Sequence, residues 1–284
     1  MMKKVFALLL ALLTVAAISS CEVDEKTDEN SLDEYRKQDV TYTSYTDSET
    51  QGVFYFESID TDSVKITGYA GPVAMHNVKV PASVETAKGV SKKVTTIATK
   101  AFYAASSIKT LSIPEGITTI EDYAFARCVQ MESVSLPASL ETIGKGAFMQ
   151  CGITALTLPT SEKLTKIGEY AFARCNNLES VEIPGNVKTV GMAAFFECTG
   201  LKKIVLKEGV KTVEKLGFQG CTSLAELELP ASFENTTDPI EDLAFLGSDV
   251  LYIENVKIPE NTAQDSALWK YVQAMRDYLN VKEN

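Results

Sequence analysis

The phrase Y-A-F-A-R-C stands at Tyr123–Cys128 and again, letter for letter, at Tyr170–Cys175. An arginine beside a cysteine is the setting of an activated thiol, because a nearby positive charge favours the thiolate. The competing reading is a structural phrase that the chain reuses, and the flanking residues decide for it. A phenylalanine preceded by a small residue recurs at Phe102, Phe125, Phe148, Phe172, Phe195, Phe218 and Phe245, at spacings of 23, 23, 24, 23, 23 and 27 residues. The small residues are Ala101, Ala124, Ala147, Ala171, Ala194, Gly217 and Ala244. A fixed period of this length is the mark of a repeat architecture.

The period extends upstream. Pro114 closes the segment L-S-I-P, and Pro137, Pro159, Pro184, Pro230 and Pro259 close the equivalent segments, with Lys207 in the proline place of the fifth. One unit reads L-x-x-V-x-L-P-x-x-L-x-x-I-G-x-x-A-F-x-x-C-x-x. Its first part, as in Met131–Leu136, alternates apolar and polar residues with the period of a strand. Proline then ends the ladder, having no N–H to donate. A second extended piece follows (Leu140 to Ile143), and then a tight turn or brief helical loop carrying Ala-Phe. A unit this small cannot bury its apolar side alone, whereas stacked units share one continuous core.

This pattern resembles the BspA-type leucine-rich repeats of bacterial surface proteins over residues 94–259, with A-F-x-x-C as its most specific part. The resemblance implies a leucine-rich-repeat solenoid, curved and right-handed, of parallel β-strands joined by short turns or helical loops. A straighter β-helix-like solenoid is the alternative. Proline stands where the familiar leucine-rich consensus has asparagine or cysteine, so an asparagine ladder is not expected.

The ends of the chain carry separate signals. Lys3 and Lys4 precede an apolar run from Val5 to Ile18. That run is shorter than the ~20 residues a bilayer-spanning helix needs and reads as an export signal over residues 1–20. Ile18-Ser19-Ser20-Cys21 resembles a bacterial lipobox, which implies lipidation of Cys21 and attachment to the membrane through that lipid. Acids dominate Glu22 to Asp39, so residues 21–50 read as a solvated tether too poor in apolar residues to order itself. Residues 51–93 read as an N-terminal β-hairpin cap, Val53–Phe56 and Ser63–Tyr69 joined by Asp60-Thr61-Asp62, with Val78-Lys79-Val80-Pro81 as a degenerate first repeat. Residues 260–284 read as a helical cap, since Leu268, Tyr271, Val272, Met275 and Leu279 fall at helical spacing behind an N-cap at Ser266.

A repeat compares itself with itself. The cysteine phase runs Ala105, Cys128, Cys151, Cys175, Cys198, Cys221 and Ser248, all small, which is how a buried hydrophobe behaves. One or two cross-coil disulfides stay open on spacing alone. The residue before each cysteine (Ala104, Arg127, Gln150, Arg174, Glu197) has no common size or charge and is expected to face solvent. The strand residues expected on the concave face are Thr110 and Ser112, Ser133 and Ser135, Thr157, Ser180 and Glu182, Lys203, and Glu226 and Glu228. They form a hydroxyl half and a charged half without aromatic rings, and are the candidate partner-binding face. Lys203, between the units of Glu182 and Glu226, is expected to pair across strands. Tyr103, Tyr123, Tyr170 and Phe196 on the Ala-Phe loops are the only alternative platform for a sugar.

Catalysis finds no footing. The single histidine, His76, excludes multi-histidine zinc motifs, and neither a phosphate-cradling glycine loop nor G-x-S-x-G occurs. No enzyme activity, cofactor or metal is expected. The formal charge is −11, and −13 once Lys3 and Lys4 leave with the signal, which argues against nucleic acid. The expected function is that of a lipid-anchored, surface-exposed outer-membrane lipoprotein of a Gram-negative bacterium. The resemblance implies an adhesin or protein-recognition module for an extracellular or host protein. A glycan-binding accessory lipoprotein for nutrient uptake and a periplasm-facing scaffold are the alternatives.

Overall fold

The computed structural model describes residues 43–46, 52–71, 76–86, 88–235, 239–241, 244–245, 247–248 and 256–258. The signal segment, Cys21 and the C-terminal helical cap lie outside the described residues. Within them the chain winds as stacked coils, each contributing two strand segments and one loop.

The first row holds the strands that precede proline: β4 (Asn77–Lys79), β7 (Thr110–Ser112), β9 (Ser133–Ser135), β12 (Ser180–Ile183), β14 (Lys203–Leu206), β16 (Glu226–Glu228) and β17 (Val256–Lys257). They pair in parallel, with Val78, Leu111 and Val134 in one register and Val181, Ile204, Leu227 and Val256 in another. Single bridges at Ala155 and Leu156 carry the row across the third unit. The second row is shorter: β6 (Ser91–Ile97), β8 (Thr119–Ile120), β10 (Thr142–Ile143), β11 (Lys166–Ile167), β13 (Thr189–Val190) and β15 (Thr212–Val213), with β5 (Ser83–Glu85) antiparallel to β6. Its register aligns Ile97, Ile120, Ile143, Ile167, Val190 and Val213, all buried.

The loops form a third ladder without helix. Among the described residues the one helical element is a 3-10 turn at Ala231–Asn235, so of the two expectations for the Ala-Phe loops, tight turn or brief helix, it is the tight turn that forms. The reason lies in the backbone. Among the described residues, those two before and two after the column phenylalanines are left-handed: Tyr123 (φ 55°) and Arg127 (φ 64°) around Phe125, Tyr170 (φ 54°) and Arg174 (φ 59°) around Phe172. This alternation sends every second N–H to the next coil. Tyr123, Phe125 and Arg127 donate to the carbonyls of Lys145, Ala147 and Met149 at 2.8, 2.8 and 2.7 Å. The intervening N–H groups of Ala124, Ala126 and Cys128 close inside the loop on Glu121, Tyr123 and Phe125. All six peptide donors are thereby satisfied, as burial requires.

The phenylalanines stack in one column through the core. Successive ring centroids from Phe102 to Phe245 lie 4.8, 5.1, 5.3, 5.3, 5.1 and 5.3 Å apart with interplanar angles of 26°, 10°, 2°, 12°, 8° and 13°. At the N-terminal end Tyr69 continues the column, stacked on Phe102 at 5.2 Å, and Phe54 lies 5.1 Å beyond. These rings belong to β2 (Val53–Ser58) and β3 (Ser63–Ala70), an antiparallel pair that joins the second row through β6. Asp60 closes their turn by accepting the N–H groups of Asp62 and Ser63, which holds its carboxyl below the usual range. A further strand, β1 (Thr43–Thr46), pairs antiparallel with β2. Those four residues fall in the stretch read as tether. The local pattern T-S-Y-T outweighs the acidic composition around it, because Tyr45 has Phe54 to pack on at 6.4 Å.

Glycines in the I-G step permit this close stacking. A Cβ on Gly168 would lie 2.3 Å from the Ile143 carbonyl oxygen, a backbone atom of the preceding coil. Gly168→Ala is therefore expected to lose about 1–3 kcal/mol, as for an overpacked core. Urea unfolding measures it, and an unchanged midpoint would mean that the coils can separate freely.

Candidate functional site

The candidate strand residues share one face of the first row. Thr110, Ser112, Ser133, Ser135, Thr157, Ser180, Glu182 and Glu226 are exposed, and Lys203 and Glu228 are half-buried. Parallel registry places Thr110 beside Ser133, Ser112 beside Ser135, and Ser180 beside Lys203. In the hydroxyl half Thr110 Oγ1 donates to Asn77 Oδ1 at 2.7 Å. In the charged half Lys203 sits 2.9 Å from Glu226 and 3.7 Å from Glu228, and Lys257 sits 2.9 Å from Glu228. Glu182 pairs instead with Lys207, at 3.2 Å. The lysine in the proline place thus answers the one acid that Lys203 leaves aside. Donating a hydrogen bond to Glu226 raises the Lys203 amine above its usual range, and the bond from Lys257 lowers the Glu228 carboxyl. Val205, in the same row, is 8% exposed beneath these side chains. Cys21, the lipidation candidate, lies outside the described residues.

The thiols form a second constellation, and it explains the repeated phrase. Cys128, Cys151, Cys175, Cys198 and Cys221 are buried and free. Each Sγ donates to the carbonyl of the phenylalanine one coil earlier: Cys128 to Phe102 (3.2 Å), Cys151 to Phe125 (3.1 Å), Cys175 to Phe148 (3.3 Å), Cys198 to Phe172 (3.2 Å) and Cys221 to Phe195 (3.4 Å). Burial pushes Cys175 and Cys221 up to about 12, and Cys151 and Cys198 well above the usual thiol value. A protonated thiol without access is neither a nucleophile nor a metal ligand. Arg127, beside Cys128, is exposed, and Arg174 turns out to Glu197 at 2.9 Å. Arginine and cysteine are neighbours in sequence that face opposite ways. A thiol reagent is expected to label the native chain far more slowly than the urea-unfolded chain; equal rates would return the thiols to the surface.

The loop aromatics separate into two kinds. Phe196 is 3% exposed and Tyr170 is 8% exposed, so neither offers a ring to a ligand. Tyr103 and Tyr123 remain half-buried. Lys100 Nζ lies 5.8 Å from the Tyr103 ring centroid, and Arg127 Nη1 donates to the Tyr103 hydroxyl at 3.5 Å. His76 is exposed, and its carbonyl accepts the N–H groups of Lys109 and Thr110. The second row carries an outward column that sequence reasoning passed over: Thr96, Thr119, Thr142, Lys166, Thr189 and Thr212. Its signal was the threonine before the buried Ile or Val in five of the six units. Among the described residues no cluster of His, Cys, Asp or Glu could hold a metal ion.

Comparison with known proteins agrees with this geometry. The model of the BspA type leucine rich repeat region matches residues 95–225 and 142–270, in six copies. The crystal structure of a T. pallidum leucine rich repeat protein is 26% identical, with a TM-score of 0.61, covering 82% of this chain and 95% of that one. That of a leucine rich cell surface protein from Faecalibacterium prausnitzii is 27% identical, with a TM-score of 0.62, covering 75% of this chain and 54% of that one. None of the curated proteins matches. Seven phenylalanines in one column, two parallel strand rows and the repeat match together place the chain in the BspA-type leucine-rich repeat family.

Proposed function

We propose that the chain is a lipid-anchored recognition protein of the outer membrane, held by Cys21 and exposed at the cell surface, which presents its first strand row to an extracellular or host protein. The observation that carries this reading is the in-register exposed face from Thr110 to Glu228. Its hydroxyls are short, so holding them still costs little side-chain entropy. Its charges are already paired with one another, so a partner meets a surface of fixed pattern. A ring-free polar face suits a protein partner better than a sugar. Solenoid faces serve recognition generally, and one structural relative is described as a cell surface protein.

Three measurements test the proposal. Protease added to intact cells should remove the chain, and full protection would sink the surface reading. A fatty-acid analogue should label the wild type and not Cys21→Ser. For the face itself, Ser133→Arg combined with Ser135→Arg should weaken capture of immobilised extracellular-matrix protein while leaving thermal unfolding in place. Capture that is indifferent to both changes would move the interface elsewhere.

A further inference from the structure

The loops of the first two coils bring two cations onto one tyrosine. Lys100 reaches over the Tyr103 ring from one side, and Arg127, one coil on, bonds to the Tyr103 hydroxyl. Among the described residues neither has a carboxylate within ion-pair distance. The nearby acids are committed to the backbone: Glu121 Oε2 accepts the Thr99 N–H at 2.9 Å and its hydroxyl at 3.0 Å, and Asp122 Oδ1 accepts the Lys145 N–H at 2.8 Å. Two other loop cations do find partners: Lys145 finds Glu169 and Arg174 finds Glu197. Like charges gathered on one ring repel, and an anion between them offsets that repulsion.

Lys100 (φ 59°) and Arg127 (φ 64°) share the left-handed backbone that the loop ladder imposes at these phases, and both are exposed.

We infer that Lys100, Tyr103 and Arg127 form a binding site for an acidic sugar, a uronate or a sialate. The guanidinium takes the sugar carboxylate in a forked, charge-assisted bond with Lys100 as second cation. The Tyr103 ring receives the apolar C–H edge of the pyranose. This site is independent of the strand face and of the protein partner proposed for it.

The test uses the full chain in detergent micelles, with calorimetric titration of a galacturonan oligomer and of sialyllactose against their neutral counterparts, the methyl-esterified oligomer and lactose. Both acidic probes should bind, and the neutral ones should bind more weakly by about tenfold, the worth of one charge-assisted bond. Arg127→Gly should abolish that preference and, by relieving a left-handed residue, leave the thermal midpoint equal or higher. A merely structural arginine would do the reverse. Equal binding of acidic and neutral probes, no binding of either acid, or an unchanged preference in Arg127→Gly overturns the inference.

Discussion

Replacing Phe172 with alanine is expected to lower the stability of the folded chain by about 3–5 kcal/mol. Phe172 is fully buried in the middle of the column, 5.3 Å from Phe148 at an interplanar angle of 2° and 5.3 Å from Phe195 at 12°. Truncation empties a site with rings on both sides, and neither neighbour can close it without leaving its own partner. The stacking itself adds about 0.5–1.5 kcal/mol per ring pair beyond the burial. Because each coil touches only its neighbours, stability is close to a sum of nearest-neighbour interfaces. A break at this coil should therefore change the shape of unfolding as well as its midpoint. Urea denaturation followed by circular dichroism is expected to show two transitions where the wild type shows one. Phe172→Leu, which keeps most of the volume, should retain one transition and lose less. A loss in Phe172→Ala no larger than that of a surface substitution would show the column to be incidental to the fold.

The second large effect is alkaline. The native state holds the protons of Cys151, Cys175, Cys198 and Cys221 to higher pH than the unfolded chain does, because burial disfavours each thiolate. Folded values raised above unfolded ones give stability that is complete below the unfolded value and is lost as pH rises toward the folded one. The loss begins at about pH 8.5–9 and continues to about 12. Each thiol contributes about 1.4 kcal/mol per pH unit there, so four contribute about 5 kcal/mol per unit, on the order of a whole domain's stability. Base-induced unfolding should be steep and complete well before pH 12. A variant with alanine at all four positions should unfold at higher pH, although it is no more stable near neutrality. Ala105 already shows that alanine fits this phase. If the two chains unfold at the same pH, tyrosine or lysine titration governs the transition.

Much of this architecture was legible because the repeat compares positions that share one environment. The column of small residues at the cysteine phase announced burial, and the strand phrase before each proline announced the first row. Composition failed where local packing outweighed it. Thr43–Thr46 lies among acidic residues, yet Tyr45 has a ring to rest on, and no average over neighbours registers that. The left-handed positions were hidden for another reason. Glycine usually betrays them, but here lysine, tyrosine, arginine, glutamine and glutamate occupy them. The inter-coil hydrogen bonds hold these residues in a conformation their own preferences resist. The pairing of Glu182 was equally hidden, since Lys207 entered the sequence reading as a missing proline rather than as a charge. The candidate surface was legible as a set of exposed positions, and what it binds depends on shape and partner chemistry that no phase of the repeat encodes.

The loop ladder also has a direction. In the two strand rows, inter-coil hydrogen bonds run both ways along the stack, so the peptide dipoles largely cancel. In the loops they run one way: Phe102 to Ala124, Phe125 to Ala147, Phe148 to Ala171, Phe172 to Ala194, Phe195 to Gly217 and Phe218 to Ala244, every N–H pointing toward the later coil. Bonds aligned like this add as they do along an α-helix, with partial positive charge where the N–H groups point and partial negative charge at the other end. The negative end is the N-terminal one. There residues 72–109 carry Lys79, Lys88, Lys92, Lys93, Lys100 and Lys109 against one acid, Glu85, beside a cap that adds Glu57, Asp60 and Asp62. The stack is electrically polar, and its first coil carries a lysine excess where that polarity favours cations.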